Sequence, residues 1–442
     1  MMLMNREDKD EFHCVPVLLE QEVNGVRREV QRVYWRVRKR YKDLKIISNA
    51  QPNQVCEAFD EVSGHKVAIK LAKCAFVDEN HARKYCRELF LLPRLDHPNV
   101  IRILDAFSNV ELDSRPDYMN ELYLVLSLTD WDLNQYLCHL LTQTTSQSKR
   151  NSTHPIQTED QLERNAVKSI MFQILSGLNY LHSNGLMHRD LNPSNVGLTF
   201  DGQVFLLDFD FSRHVNNRNK EGHSIFISNQ NYRAPEIVLT PGLYEKKVDI
   251  WSAGCIFAEL LAIYNGLRSS RLSAKQFLQL PEGAGPIQYF QELLKLVGPP
   301  PESFFDCCLT DGKESFKICI NDMIREHQLE PEFDSRFSFL DSPAKELLKS
   351  LVAFDPKERI SANQALKHKY FQEFHLQEET SDASSLLSSN SAVNEPSTSH
   401  SDANNNNNED LVCPVDVMDK PTTMMEIKHL VFAELHNFPT SR

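Results

Sequence analysis

The stretch Met187-His188-Arg189-Asp190-Leu191-Asn192-Pro193-Ser194-Asn195 constrains this 442-residue chain more than any other. Thirteen residues after Asn195 comes Asp208-Phe209-Asp210, and Arg233-Ala234-Pro235-Glu236 follows later. Singly, an Asp or Asn of this kind is usually a turn residue or a cap. Three such motifs in one order and at these spacings outweigh that reading. Asp190 is a carboxylate that can accept or orient a hydroxyl proton. Asn195 and Asp208 supply oxygen ligands of the sort that a hard cation such as magnesium takes.

Composition narrows the remaining possibilities. The chain is long enough for two or three domain-sized units and a substantial core. Its 41% hydrophobic and 25% charged residues are ordinary for a globular protein. A formal charge of −13 disfavours a general nucleic-acid binder, whose groove needs a basic excess. No stretch approaches the length expected of a membrane span, and the charged residues 1–12 do not read as a signal peptide. The ten cysteines are scattered with no Cys-x-x-Cys spacing, so neither a zinc knuckle nor a disulfide framework is expected. These features predict a reduced, monomeric protein of the cytoplasm and nucleus, with no nucleic acid and no membrane among its partners.

Along the chain, residues 14–35 alternate apolar and polar around Asn24-Gly25, a hairpin pattern. The basic residues there, Arg27, Arg28, Arg32, Arg36, Arg38, Lys39 and Arg40, read as a solvated surface in preference to an anion-binding patch. Short β-type runs such as Lys66-Val67-Ala68-Ile69-Lys70 continue to Leu126, with one helix near residues 78–94. From Trp131 helical patterns dominate. Val167, Met171, Ile174, Leu178 and Leu181 mark one buried helical face, and Asn184-Gly185 stops that helix. Residues 142–158, rich in Thr, Ser and Gln, read as a polar loop, and 377–410, with a serine-rich run and Asn404 to Asn408, as disordered. Pro421 and the capping pattern Thr423-x-x-Glu426 announce a last helix over 424–436 whose stripe of Ile427, Leu430, Val431 and Leu435 predicts docking onto the body of the protein.

Taken together these segments resemble the protein kinases, and most closely the stress-activated branch of the mitogen-activated protein kinases. The likeness covers roughly 34–376 and returns at 415–438. It is carried by Arg40-Tyr41, Val67-Ala68-Ile69-Lys70, His97-Pro98-Asn99-Val100-Ile101, Leu122-Tyr123-Leu124-Val125, Asp132-Leu133-Asn134, the three opening motifs, Ser212-Arg213-His214, Val248-Asp249-Ile250-Trp251-Ser252 and Leu296-Val297-Gly298. It implies an α+β, two-lobed protein kinase fold over 41–371. The β-rich small lobe would be 41–126, the hinge 127–130 and the helical large lobe 131–371, flanked by extensions 1–40 and 372–442.

The resemblance further implies Ser/Thr phosphotransfer from ATP with Mg²⁺ to protein substrates, under an upstream dual-specificity kinase or phosphatase. Asp190, Lys70 and Asn195 would be catalytic, and Asn195 and Asp208 the metal ligands. The nucleotide would meet Ile47, Val55, Ala68, Lys70, Glu88, Leu126 as gatekeeper, Thr129 in the hinge, Asp132 beside the ribose and Gly197. An Arg359–Glu236 ion pair would anchor the activation segment. Ser224 would be the regulatory phosphosite, facing Arg189, Lys84 and Arg87. Glu378 and Glu379 would form an acidic docking patch.

Several positions depart from that pattern. Ser48, Ala50 and Asn53 stand where the phosphate-covering loop has glycines, whose backbone approaches phosphate without a Cβ. Asn192 replaces a lysine that would place positive charge beside the transferring phosphoryl group. Asp210 replaces a glycine, which is expected to cost backbone freedom and to add negative charge near the metal ligands. Phe226 removes the second acceptor of a Thr-x-Tyr switch. Two functions therefore remain open: an attenuated Ser/Thr kinase, or a pseudokinase serving as a binding or scaffold module. A small-molecule kinase of similar fold fits the Arg233–Glu236 segment poorly.

Overall fold

The computed structural model describes residues 12–23, 26–49, 53–110, 115–147, 156–215, 229–239, 245–269, 277–278, 280–281, 283–307, 312–374 and 423–438. A hairpin comes first: β1 (Phe12–Val23) and β2 (Val26–Arg38) pair antiparallel, from Phe12 opposite Arg38 to Val23 opposite Val26. A five-stranded antiparallel sheet follows, made of β3 (Tyr41–Ser48), β4 (Asn53–Asp60), β5 (His65–Ala72), β6 (Ile103–Ser108) and β7 (Leu122–Ser127) in the order β3-β4-β5-β7-β6. The period of two along β5 explains its two faces. Val67, Ile69 and Leu71 enter a core with Trp35, Val37, Cys56, Phe107 and Tyr123, each such side chain contributing roughly 1.5–3 kcal/mol on burial. Ala68 and Lys70 point the other way.

The hairpin is thus a lid over one face of the sheet, with Val17, Trp35 and Val37 fully buried. This revises the reading of its basic run. Arg38 pairs with Asp105 at 2.9 Å, Arg40 with Asp60 at 2.7 Å, and Arg36 donates to the Asn109 carbonyl at 2.7 Å. These guanidiniums hold elements together instead of standing in solvent; Arg32 and Lys39 are exposed.

Helix α1 (Glu79–Leu91) crosses the sheet's other face, started by Asp78, whose carboxylate accepts the N–H groups of Asn80 at 2.9 Å and His81 at 3.0 Å. The helical lobe is built around α2 (Leu133–Gln147), α3 (Ile156–Ser183), α4 (Pro235–Leu239) and α5 (Lys247–Ser269). On α3, Val167, Met171, Ile174, Leu178 and Leu181 are all buried, and Gly185, at φ 71°, provides the left-handed residue that ends it. Helices over Pro286–Val297, Lys313–His327, Phe333–Arg336, Ser342–Leu351 and Ala362–Leu366 complete the lobe as α6 to α10.

Two expectations are corrected here. Residues 142–147 and 156–158 are helical, as the ends of α2 and α3. No Gly or Pro interrupts α2, so each added residue gains a hydrogen bond once the helix is nucleated; 148–155 lie outside the described residues. Lys247–Asn265 is long and apolar enough to cross a membrane, contrary to the sequence expectation, but 83% of its window is buried inside the protein. It is the core helix of the lobe, apolar all round because neighbours surround it.

The last helix, α11 (Met424–Asn437), packs back against α1. Ile427, Val431 and Leu435 are buried, and Glu434 receives Arg94 at 2.8 Å. Thr423 Oγ1 accepts the Glu426 N–H at 3.3 Å, while Glu426 Oε2 accepts the Thr423 N–H at 2.8 Å. Thr423→Ala removes half of this reciprocal cap and is expected to lower stability by about 1 kcal/mol, read as a lower thermal midpoint. Residues 377–410 are outside the described residues.

Candidate phosphoryl-transfer site

Lys70 leaves β5 on the face turned toward α1. Its Nζ donates to Glu88 Oε2 at 2.8 Å, Asp208 Oδ1 at 3.0 Å and Asp210 Oδ1 at 3.2 Å. Glu88, fully buried on α1, is fixed from its other side by the Phe209 N–H at 2.8 Å. Burial opposes the lysine's charge, yet Asp208, Asp210 and Glu88 hold it well above the ordinary lysine range. Asp208 is likewise opposed by burial and drawn below the usual carboxylate range by Lys70. Asp210 goes the other way: burial, then the charge of Asp208, push it well above that range. Three carboxylates crowd one ammonium, and Asp210 is the one driven toward its protonated form.

The catalytic-loop residues converge on Asp190. Strand β8 (Trp131–Asp132) and the short strands β9 (Leu186–Met187), β10 (Val196–Leu198) and β11 (Val204–Leu206) frame the loop. Asp249 on α5 pins it, accepting the N–H groups of His188 at 2.9 Å and Arg189 at 2.8 Å and a bond from His182 at 2.8 Å. The left-handed backbone of Arg189, φ 71°, follows from that pinning. Asn195 Nδ2 donates to the Asp190 carbonyl at 2.7 Å and to its Oδ2 at 3.0 Å. Burial, with the charge of Asp208, raises the Asp190 carboxyl above its usual range, while the Asn195 bond and the Asn229 N–H draw it back.

Asn192 is half-turned into this loop. Its Nδ2 donates to the Asp190 carbonyl at 3.0 Å and its Oδ1 accepts the Ser194 N–H at 3.0 Å, capping the turn Pro193–Asn195. A residue that departs from the family pattern has thus acquired a structural job. Asp210 differs from expectation in its backbone alone. Among the described residues the non-glycine positions with positive φ are Asp43, Cys74, Arg189, Asp208 and Gln328, so Asp210 carries no such backbone strain. What it changes is the electrostatics.

The positions expected to face a nucleotide fall in register. Val55 lies opposite Lys70 on β4–β5, and Ala68 lies opposite Leu126 on β5–β7. Ile47 is exposed near the end of β3. Gly197 is required by close approach: a Cβ there would meet Thr129 Cγ2 at 2.6 Å. Asp132 is occupied as the cap of α2, accepting the Gln135 N–H at 2.7 Å. Asn195 and Asp208 fit magnesium as oxygen donors: the Asn195 amide nitrogen is spent on Asp190, which leaves its oxygen, and Asp208 is about one-third open. Glu88, Asp208 and Asp210 bring carboxylate oxygens within 4.8 Å of one another.

Of the residues expected to be regulatory, Arg87 is buried and donates to the Asp210 carbonyl, and Lys84 lies over the Phe211 ring at 4.3 Å. Arg189 is buried in the pinned loop. Ser224, Phe226, Ala50, Glu378 and Glu379 lie outside the described residues. Glu236 and Arg359 form a bidentate pair at 2.6 and 3.0 Å. Residue-by-residue reading named Asn53 as a departure but missed its bond, Nδ2 to Asp210 Oδ2 at 3.3 Å, and missed Asp249 as the loop's anchor. A polar residue in place of glycine was the available signal for the first. A cavity of about 210 Å³ lined by Trp131, Tyr136, Ile170 and Phe200 lies apart from these groups, between α2, α3 and the end of β10.

Comparison with known proteins adds two findings. Residues 41–371 match the family model described as protein kinase domain. The chain is 31% identical over 350 residues to mitogen-activated protein kinase 14 of Xenopus laevis, covering 79% of this chain and 84% of that protein. It is similar to mitogen-activated protein kinase 12 of Homo sapiens, at 29% over 349 residues, covering 79% and 83%. It is also similar to mitogen-activated protein kinase HOG1 of Arthrobotrys oligospora, at 31% over 355 residues, covering 79% and 85%.

Proposed function

This chain belongs to the protein kinase family and, within it, to the mitogen-activated protein kinases, and on that footing we propose that it is an attenuated Ser/Thr kinase of a stress-type cascade. The family uses ATP and Mg²⁺. The observation that carries the reading is the Lys70 ammonium held at 2.8 Å by Glu88 and 3.0 Å by Asp208. That arrangement presents a positive group to nucleotide phosphates from a rigid base. Magnesium, held by Asn195 and Asp208, would neutralise charge on the phosphate oxygens.

Asp190 then orients the acceptor hydroxyl and takes its proton. Its raised carboxyl suits that exchange, since a base is most useful when its affinity for the proton is not too low. Asn195 keeps the carboxylate aimed by bonding both its carbonyl and its Oδ2. Attenuation follows from Asn192, a neutral amide where the moving phosphoryl group needs positive charge.

A second reading, a binding module for cascade partners, is favoured by the Asp210 contact on Lys70 at 3.2 Å. Transfer of labelled γ-phosphate to a protein acceptor by the full chain, with Asp190→Ala as the blank, separates the two. Slow transfer above the blank is expected. Transfer indistinguishable from the blank at millimolar Mg-ATP would replace the kinase by the binding module.

A further inference from the structure

We propose that Asp210 is an internal competitor for Lys70, and so decides how strongly the cleft holds phosphate-bearing nucleotides relative to nucleosides. The proposal rests on the nucleotide reading above and deepens it. An ammonium has three N–H donors and no acceptor. Those of Lys70 have three described partners, at 2.8 Å to Glu88, 3.0 Å to Asp208 and 3.2 Å to Asp210. A phosphate oxygen reaches this lysine only by displacing one of them.

The three are not equally easy to displace. Glu88 is fully buried and its second oxygen accepts the Phe209 N–H at 2.8 Å. Asp208 is the residue that fits the cation, so it stays beside the phosphates. Asp210 makes the longest of the three contacts, and its other oxygen is tied to the Asn53 amide at 3.3 Å. A glycine at this position would bring no acceptor, so the competition arises from this side chain alone.

The Asn53 bond gives the displacement a second consequence. Asn53 opens β4, and it is joined to Asp210 across 157 positions of sequence. When a phosphate takes the lysine from Asp210, the bond from Asn53 is disturbed as well. Base and ribose make no claim on Lys70. The penalty therefore falls on the phosphates and spares the nucleoside.

Calorimetric titration of the full-length chain with ADP and with adenosine, both in excess Mg²⁺, tests this. The proteins compared are the natural sequence, Asp210→Ala, Asp210→Gly and Asn53→Ala. Asp210 has no positive φ, so alanine is accommodated, and glycine is the second variant should alanine fold poorly. Both Asp210 variants are expected to bind ADP about tenfold more tightly, the scale of one charge-assisted hydrogen bond, with adenosine unchanged. Asn53→Ala should shift ADP in the same direction by less. ADP affinity that is unchanged or weaker in both Asp210 variants overturns the proposal, as does adenosine tightening in step with ADP, which would mean a cleft that has merely opened. If no protein in the set binds either ligand, the nucleotide reading itself fails and takes this proposal with it.

Discussion

Arg359→Ala is expected to destabilise the helical lobe by about 3–5 kcal/mol, the cost of stranding one partner of a buried ion pair. The guanidinium side chain is 0% exposed and its partner Glu236 4%. Its Nη1 and Nη2 clasp the two carboxylate oxygens at 2.6 and 3.0 Å, and it also donates to the carbonyls of Lys247 at 2.8 Å and Ala353 at 3.0 Å. Trp251 lies 5.1 Å beneath it. Alanine leaves the Glu236 charge buried and takes one donor from each of these carbonyls. Lysine would not substitute, because a single ammonium cannot reproduce the fork. Urea unfolding followed by tryptophan fluorescence measures the loss. A change below about 1 kcal/mol would show that the pair is less buried in solution than its geometry requires. The double variant with Glu236→Ala should recover part of the loss, since it removes the stranded charge.

Asn192→Lys is expected to raise kcat by about 10²-fold, the usual worth of one positive group placed where charge develops. The ATP KM should change much less, because the contact matters most in the transition state. The substitution has a structural cost. Asn192 caps the turn Pro193–Asn195 through Ser194 and donates to the Asp190 carbonyl, so stability should fall by about 1 kcal/mol as the cap is lost. A variant that is both less stable and faster is the signature sought. If kcat stays within twofold of the natural protein while Asp190→Ala lowers it, the missing charge at residue 192 is not what limits the reaction. Should neither protein exceed the Asp190→Ala background, the binding-module reading holds.

Much of the site could be read from its motifs and from the resemblance they carry. Lys70 to Glu88, Asp190 to Asn195, and Asp208 are each set by local geometry: one strand face, one capped helix, one pinned loop. The residue after Phe209 was legible as unusual and as an added negative charge near the metal ligands, but the expected backbone cost is absent, since it has no positive φ. Which group that charge meets was not legible: its partner is Lys70, 140 residues away in sequence. Asn192 was likewise legible as a lost charge and illegible as a cap, since its Ser194 bond depends on how the loop is held by Asp249.

The sequence by itself determined the buried stripe of α3, the hairpin and the cap at Thr423, while its resemblance to the protein kinases implied the two-lobed fold and named the candidate phosphate-handling groups. The first three depend on periodicity or spacing over a few residues, which the chain states directly; the others rest on motifs matched along the whole chain. Only the tertiary structure decided what those elements cover. It made the hairpin a lid whose Arg38 reaches Asp105, seated α11 on α1 and tied its Glu434 to Arg94, just past the end of α1, across 340 positions, and joined Asn53 to Asp210 at the lysine. An apolar stripe announces that a face will be buried but not against what, and a charge announces no partner. Those choices are made when distant segments pack, where burial strengthens every contact and penalises every group left without one.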